Sequence, residues 1–214
     1  MKGITMKRLI LAAAAVFTTA TAASSQTDPM MLSSIPVHDL SLDGGTRDVL
    51  AALAEKYHVV IGVYGTSIGA ESNAVHLLFK SGTLGEVFEA IVRADPRLEW
   101  KQAGNGAFHF VYRGALLPLF GITVHSIDLE QPTKAEASGR LSQIPEVAGW
   151  LRDHGCAMDE WIAGRRAAEW GKFIVHSRDS ALPALFDEIA AKSGTYFWSA
   201  IQYSAAPCAI SVRP

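Results

Sequence analysis

Three stretches of the chain repeat one apolar pattern, two adjacent apolar residues and a third three positions later: Val49-Leu50 with Leu53, Val87-Phe88 with Ile91, and Leu185-Phe186 with Ile189. Positions i, i+1 and i+4 fall on one stripe of an α-helix, the stripe by which a helix lies across a sheet. Seven residues beyond the last apolar position of each stands a strand-like residue, Val60, Leu98 or Tyr196. Extended stretches precede the helices at 37–42, 75–80 and 173–177. The pattern predicts a repeated strand–helix–strand unit at fixed offsets. Gly45-Thr46, Gly82-Thr83 and Asp179-Ser180 stand where helix starts need capping. Asp95-Pro96 ends the second helix, because proline cannot continue it and disfavours helical geometry in the residue before.

Two of the units finish in a hairpin. Leu98, Trp100 and Gln102 lead into Ala103-Gly104-Asn105-Gly106, and Phe108, Phe110 and Tyr112 return with period two. Tyr196–Ala200 and Cys208, Ile210, Val212 repeat the arrangement across a longer connection. A fourth trace, Ile122-Thr123-Val124-His125-Ser126-Ile127-Asp128, parallels Ile174-Val175-His176-Ser177-Arg178-Asp179. The expected fold is α+β: two small βα-βαββ modules, 35–113 and 119–213, each a mixed sheet with two helices packed on it. Gly114–Pro118 joins them, and the second carries a helical insertion at 145–170.

The ends and the charge add the compartment. A basic head at Lys2, Lys7 and Arg8, an apolar run Leu9–Phe17 and Ala20, Ala22 in A-x-A spacing make residues 1–22 a secretory signal peptide. Met6 would serve as a start as well as Met1, and 23–34 reads as a flexible lead-in. The apolar run falls short of the roughly 20 residues that span a bilayer, so no membrane insertion is expected. The 214 residues carry 19 basic and 21 acidic side chains, and removal of the signal peptide moves the net charge from −2 to −5. A mildly acidic chain without basic runs is poorly suited to nucleic acid or anionic lipid. Cys156 and Cys208 are the two cysteines. In an oxidising compartment they either pair, closing a loop of about 50 residues, or remain as buried thiols.

Residues 36–113 resemble the short N-terminal (STN) domain shared by secretins and TonB-dependent outer-membrane receptors. The likeness is carried by Pro36–Leu42, Thr46–Ala54, Val59-Val60-Ile61, Gly82–Ile91 and Leu98-Glu99-Trp100, with a fainter likeness over 172–213. The resemblance implies a small mixed sheet flanked by two helices, a periplasmic location, and a role in binding proteins without catalysis or cofactor. In those proteins a long barrel follows the domain, whereas this chain ends at Pro214, so the expectation is an exported adaptor or scaffold docking an envelope protein through edge strands or helix faces.

Other chemistries have their own signals. Gly65-Thr66-Ser67-Ile68-Gly69 fits the G-x-S-x-G elbow, which would make Ser67 a hydrolase nucleophile with Asp153 or Asp179 and His154 or His176 as partners. Against it, the long helix that must follow is missing from the pattern. The Val-His pairs at 37–38, 75–76, 124–125 and 175–176 put four imidazoles at equivalent strand positions, where each faces solvent while its valine enters the core. Asp153-His154-Gly155-Cys156 with Asp159-Glu160 crowds ligand types without the spacing of a metal site, so no metal is expected. Trp150, Trp161 and Trp170 with Arg165 and Arg166 combine the side chains enriched at docking surfaces, and they are the candidate binding residues. A small-molecule carrier would instead use Tyr57, Tyr64, Trp100, Trp161 and Trp198.

Overall fold

The fold is a computed structural model that describes residues 33–67, 73–113, 118–159, 172–203 and 208–213. The first module runs β1 (Pro36–Gly45), α1 (Thr46–Tyr57), β2 (Ile61–Ser67), β3 (Ala74–Thr83), α2 (Leu84–Ala94), β4 (Leu98–Gln102) and β5 (Phe108–Tyr112). A single 3₁₀ turn, Pro118–Gly121, leads to β6 (Thr123–Glu130), α3 (Lys134–Ser142), α4 (Pro145–Asp153), β7 (Cys156–Asp159), β8 (Ile174–Ala181), α5 (Leu182–Ser193), β9 (Phe197–Tyr203) and β10 (Cys208–Arg213). The α+β class holds. Each module has a strand more than the expected βα-βαββ, because β2 and β7 follow the first helical segment.

The two modules pair their strands in the same way. β1 runs antiparallel to β3 and β6 to β8, making two two-stranded ribbons. β4–β5 and β9–β10 are antiparallel hairpins, and the return strand of each lies parallel to β2 or β7. The expected separate sheets are replaced by one. β2 and β9 pair in parallel over seven residues, from Ile61 opposite Phe197 to Ser67 opposite Tyr203, giving the order β4-β5-β2-β9-β10-β7.

Period-two alternation then assigns each face of the shared sheet to one module. Ile61, Val63, Phe108, Phe110, Phe197 and Ile201 face α1, α2 and the β1–β3 ribbon. Tyr64, Val111, Trp198, Ala200, Ile210 and Val212 face the helices and ribbon of the second module. The repeated stripes supply the cover: Leu50, Leu53, Val87, Phe88, Ile91, Leu185, Phe186 and Ile189 are all buried.

Local details correct parts of the reading. Thr83 caps α2 in a capping box with Glu86, as its position predicts. Asp179 and Ser180 are strand residues; Ala181 is the cap position of α5, which starts on Leu182-Pro183 with proline suited to the first turn. The insertion at 145–170 is not one helix. α4 stops at Asp153, Gly155 takes φ +59°, and Cys156–Asp159 is a strand lying on β10. The second module also has an additional helix, α3, with its own Thr133–Glu136 capping box. Cys156 and Cys208 are bonded, tying β7 to β10 where the two residues stand opposite each other.

Candidate functional site

The joint between the modules holds a buried polar cluster. Trp198 of β9 stands opposite Gly62 of β2, and His109 of β5 stands opposite Gly62 on its other side. With no Cβ at Gly62, the indole of Trp198 lies across the strand; an added methyl would sit 2.4 Å from its Cζ2. Over this row α5 places Asp187, 3% exposed. Its carboxylate accepts from Trp198 Nε1 (2.7 Å), from Asn105 Nδ2 (2.9 Å) and from His109 Nε2 (3.0 Å). The Tyr64 hydroxyl lies 3.3 Å from His109 Nδ1, and its ring stacks on Trp198 at 5.4 Å.

Burial, and then the charge of Asp187, pushes the Tyr64 pKa up to about 12, so the hydroxyl keeps its proton. The network therefore assigns Tyr64 O–H as donor to Nδ1 and His109 Nε2–H as donor to Asp187. Tyr64, Asn105 and His109 come from the first module, Asp187 and Trp198 from the second. The cluster is an inter-module latch in which acid, imidazole and phenol satisfy one another. A cleft of about 510 Å³ opens beside it, lined by His58, Val59, Asn105, Asp187, Glu188 and Ala191.

The first module carries the counterpart of this latch. Phe88, Glu89 and Trp100 occupy the same relative positions as Phe186, Asp187 and Trp198. Trp100 Nε1 donates to Glu89 Oε1 at 2.8 Å, and the Phe88–Trp100 ring contact at 5.4 Å matches the Phe186–Trp198 contact at 5.0 Å. This counterpart faces solvent at the β4 edge. Beside it lies a cleft of about 660 Å³ lined by Phe79, Glu86, Glu89, Arg93 and Trp100.

A second buried acid is structural. Asp95 accepts from Thr46 Oγ1 (3.0 Å), Asn73 Nδ2 (3.1 Å) and Arg97 Nε and Nη2 (2.8 and 2.9 Å). Burial alone would raise its pKa, but the hydrogen bonds from Arg97 and Thr46 and the guanidinium charge hold it below the ordinary carboxylate value. This clamp fixes the start of α1 to the end of α2.

The candidates read from the sequence are dispersed. Ser67 is the last residue of β2, and the next described element is the strand β3, where a nucleophile elbow needs a helix. His154 bonds the Trp150 carbonyl and stacks on the Trp150 ring at the end of α4. His176 pairs with Asp128, and Asp179 with His125, on the outer β6–β8 ribbon. The Asp179 carboxylate, as hydrogen-bond partner, holds the His125 pKa above its ordinary value.

All four valines of the Val-His pairs are buried and their histidines face outward. Among the described residues no three ligand-type side chains gather as a metal site. Of the candidate binding residues, Trp150 is half-buried on α4, whereas Trp161, Arg165, Arg166 and Trp170 lie outside the described residues. Among the proposed carrier aromatics, Tyr64 and Trp198 meet in the latch, Trp100 packs on the opposite face, and Trp161 again lies outside the described residues. Among the described residues no helix is long and apolar enough to cross a membrane.

The latch was missed in the sequence because Asp187 sits within an ordinary amphipathic stripe. The signal that would have found it is the shared eleven-residue spacing of Glu89 to Trp100 and Asp187 to Trp198. No protein-family profile matches the chain, and no curated protein is significantly similar to it.

Proposed function

We propose that this chain is an exported, periplasmic adaptor that binds an envelope protein through its sheet edges, without catalysis. The observation that carries this reading is the β2–β9 joint, in which the edge of one module is occupied by the edge of the next. A module that already grips a neighbour by backbone pairing has the geometry for strand addition. The outer strands of the sheet, β4 and β7, have no further strand beside them among the described residues. Two further observations support the reading. The βαββαββ order of the first module, with two helices against a small mixed sheet, suits the STN resemblance. The acid, histidine and tyrosine at the centre are engaged with one another.

The test is photo-crosslinking in cells, with a photoreactive residue at Glu99 on β4 or Ala157 on β7, both exposed, and a control at the exposed Arg140 of α3. Capture of one envelope protein from an edge position and not from the control supports the reading. Equal, diffuse labelling from all three refutes it. Labelling of Ser67 by a fluorophosphonate, lost in Ser67→Ala, would replace it with a hydrolase.

A further inference from the structure

We propose that the β4 edge with its Glu89–Trp100 pair is a docking groove for one added β-strand of another protein, running parallel to β4. The strand carries a small residue opposite Trp100, an aromatic residue two positions on, and charged groups on its other face. This rests on the protein-binding role above and specifies its site and the partner's chemistry.

Among the described residues the molecule contains both the filled version of the groove and, at β4, an open one. In the filled version β2 lies beside β9. Gly62 stands opposite Trp198 and lets the indole lie across the strand, and Tyr64, two residues on, stacks on that indole. Asn105 and His109 then reach Asp187 from beyond β2. In the open version β4 takes the place of β9, Trp100 that of Trp198, and Glu89 that of Asp187. The register that puts Gly62 opposite Trp198 puts a small residue opposite Trp100 and an aromatic opposite Gln102. Gln102 Nε2 is buried and has no acceptor among the described residues. The cleft lined by Phe79, Glu86, Glu89 and Trp100 adjoins this pair.

The opposite face of the edge sets the rest of the pattern. Glu99 and Lys101, both exposed, stand where β9 has the buried Phe197 and Ser199. In the internal joint these positions meet Ile61 and Val63. An incoming strand must therefore offer charged groups there, a base against Glu99 and an acid against Lys101. A strand patterned like β2 of this chain does not fit, because it would set its apolar Ile61 and Val63 positions against Glu99 and Lys101.

The probe is a nine-residue peptide of residues 59–67 carrying Ile61→Lys and Val63→Glu, titrated into the isotope-labelled full chain and followed by amide and indole NMR shifts. Binding is expected at a Kd of about 0.1–1 mM, with shifts confined to β4, α2 and the Trp100 indole. The protein variant Glu99→Lys/Lys101→Glu, altered only at exposed positions, should weaken binding about tenfold. A peptide with Ile61→Glu and Val63→Lys should restore it, a rescue that loss of fold could not give. No shifts, or a footprint on β7 or a ribbon, overturns this site; in the second case strand addition as a general role survives. Concentration-dependent self-association abolished by Lys101→Glu also overturns it, in favour of a second copy.

Discussion

Gly62→Ala is the sharpest probe of how the two modules are joined. The new methyl would lie 2.4 and 2.5 Å from Trp198 Cζ2 and Cε2 and 2.9 Å from its Nε1. The indole cannot move aside freely: it is wedged against Phe186 and Tyr64 and bonded to Asp187. Overpacking of this kind costs about 1–3 kcal/mol. If the ring yields by leaving Asp187, a buried acceptor loses a donor at a further cost of about 1–3 kcal/mol. Against this, a Gly-to-Ala change stiffens the unfolded chain, a gain of about 0.4–1 kcal/mol. The expected net loss is about 2–4 kcal/mol. Gly104→Ala, with nothing within 4 Å of the added carbon, should be nearly neutral. Urea denaturation followed by far-UV circular dichroism measures both. Trp198→Phe removes the clashing ring edge, so in that background Gly62→Ala should cost less by at least about 1 kcal/mol. Equal effects at Gly62 and Gly104, or strict additivity with Trp198→Phe, would refute the packing described for the joint.

Three other outcomes follow from the same contacts. Cys156→Ser/Cys208→Ser opens a loop closed across 52 residues and should cost about 4 kcal/mol on chain-entropy grounds, read as a lower urea midpoint that reductant reproduces in the parent. Asp95 has its folded pKa below the unfolded value near 3.8, so its contribution is present above that value and is lost as pH falls through the folded pKa. Asp95→Asn should therefore lower stability at neutral pH and flatten the acid limb of a stability–pH curve below about pH 4. Tyr64 has its folded pKa raised from 10.0 to about 12, so stability is intact below pH 10 and falls as pH rises toward 12. That limb amounts to about 3 kcal/mol and should be absent from Tyr64→Phe in alkaline denaturation.

The helices and the first hairpin were legible because helix stripes and hairpin alternation are local: Val87-Phe88-Ile91 and the Phe108, Phe110, Tyr112 return each encode one covered face. The shared sheet was not, since parallel pairing of β2 with β9 joins strands about 135 residues apart through backbone groups that leave no periodic trace. Residues 156–159 were drawn into a helix by the tryptophans around them, whereas Gly155 at φ +59° turns the chain and the disulfide seats it on β10. The outward histidines were legible for the opposite reason, because period two with a buried valine leaves them one direction.

Copies of one module joined edge to edge would continue without limit if every edge were alike. The two counterpart strands differ in charge on one face only. β9 presents buried Phe197 and Ser199 to Ile61 and Val63, whereas β4 presents exposed Glu99 and Lys101. Charges at that position refuse an apolar strand like β2, the usual way an outer edge is kept from pairing with copies of itself. On the other face the pair is kept: Trp100 donates to Glu89 and packs on Phe88, the counterpart of the Phe186 behind Trp198. Besides packing on Phe88 and Phe108, that pair stands beside the charged face, and the combination suits a strand of the opposite patterning.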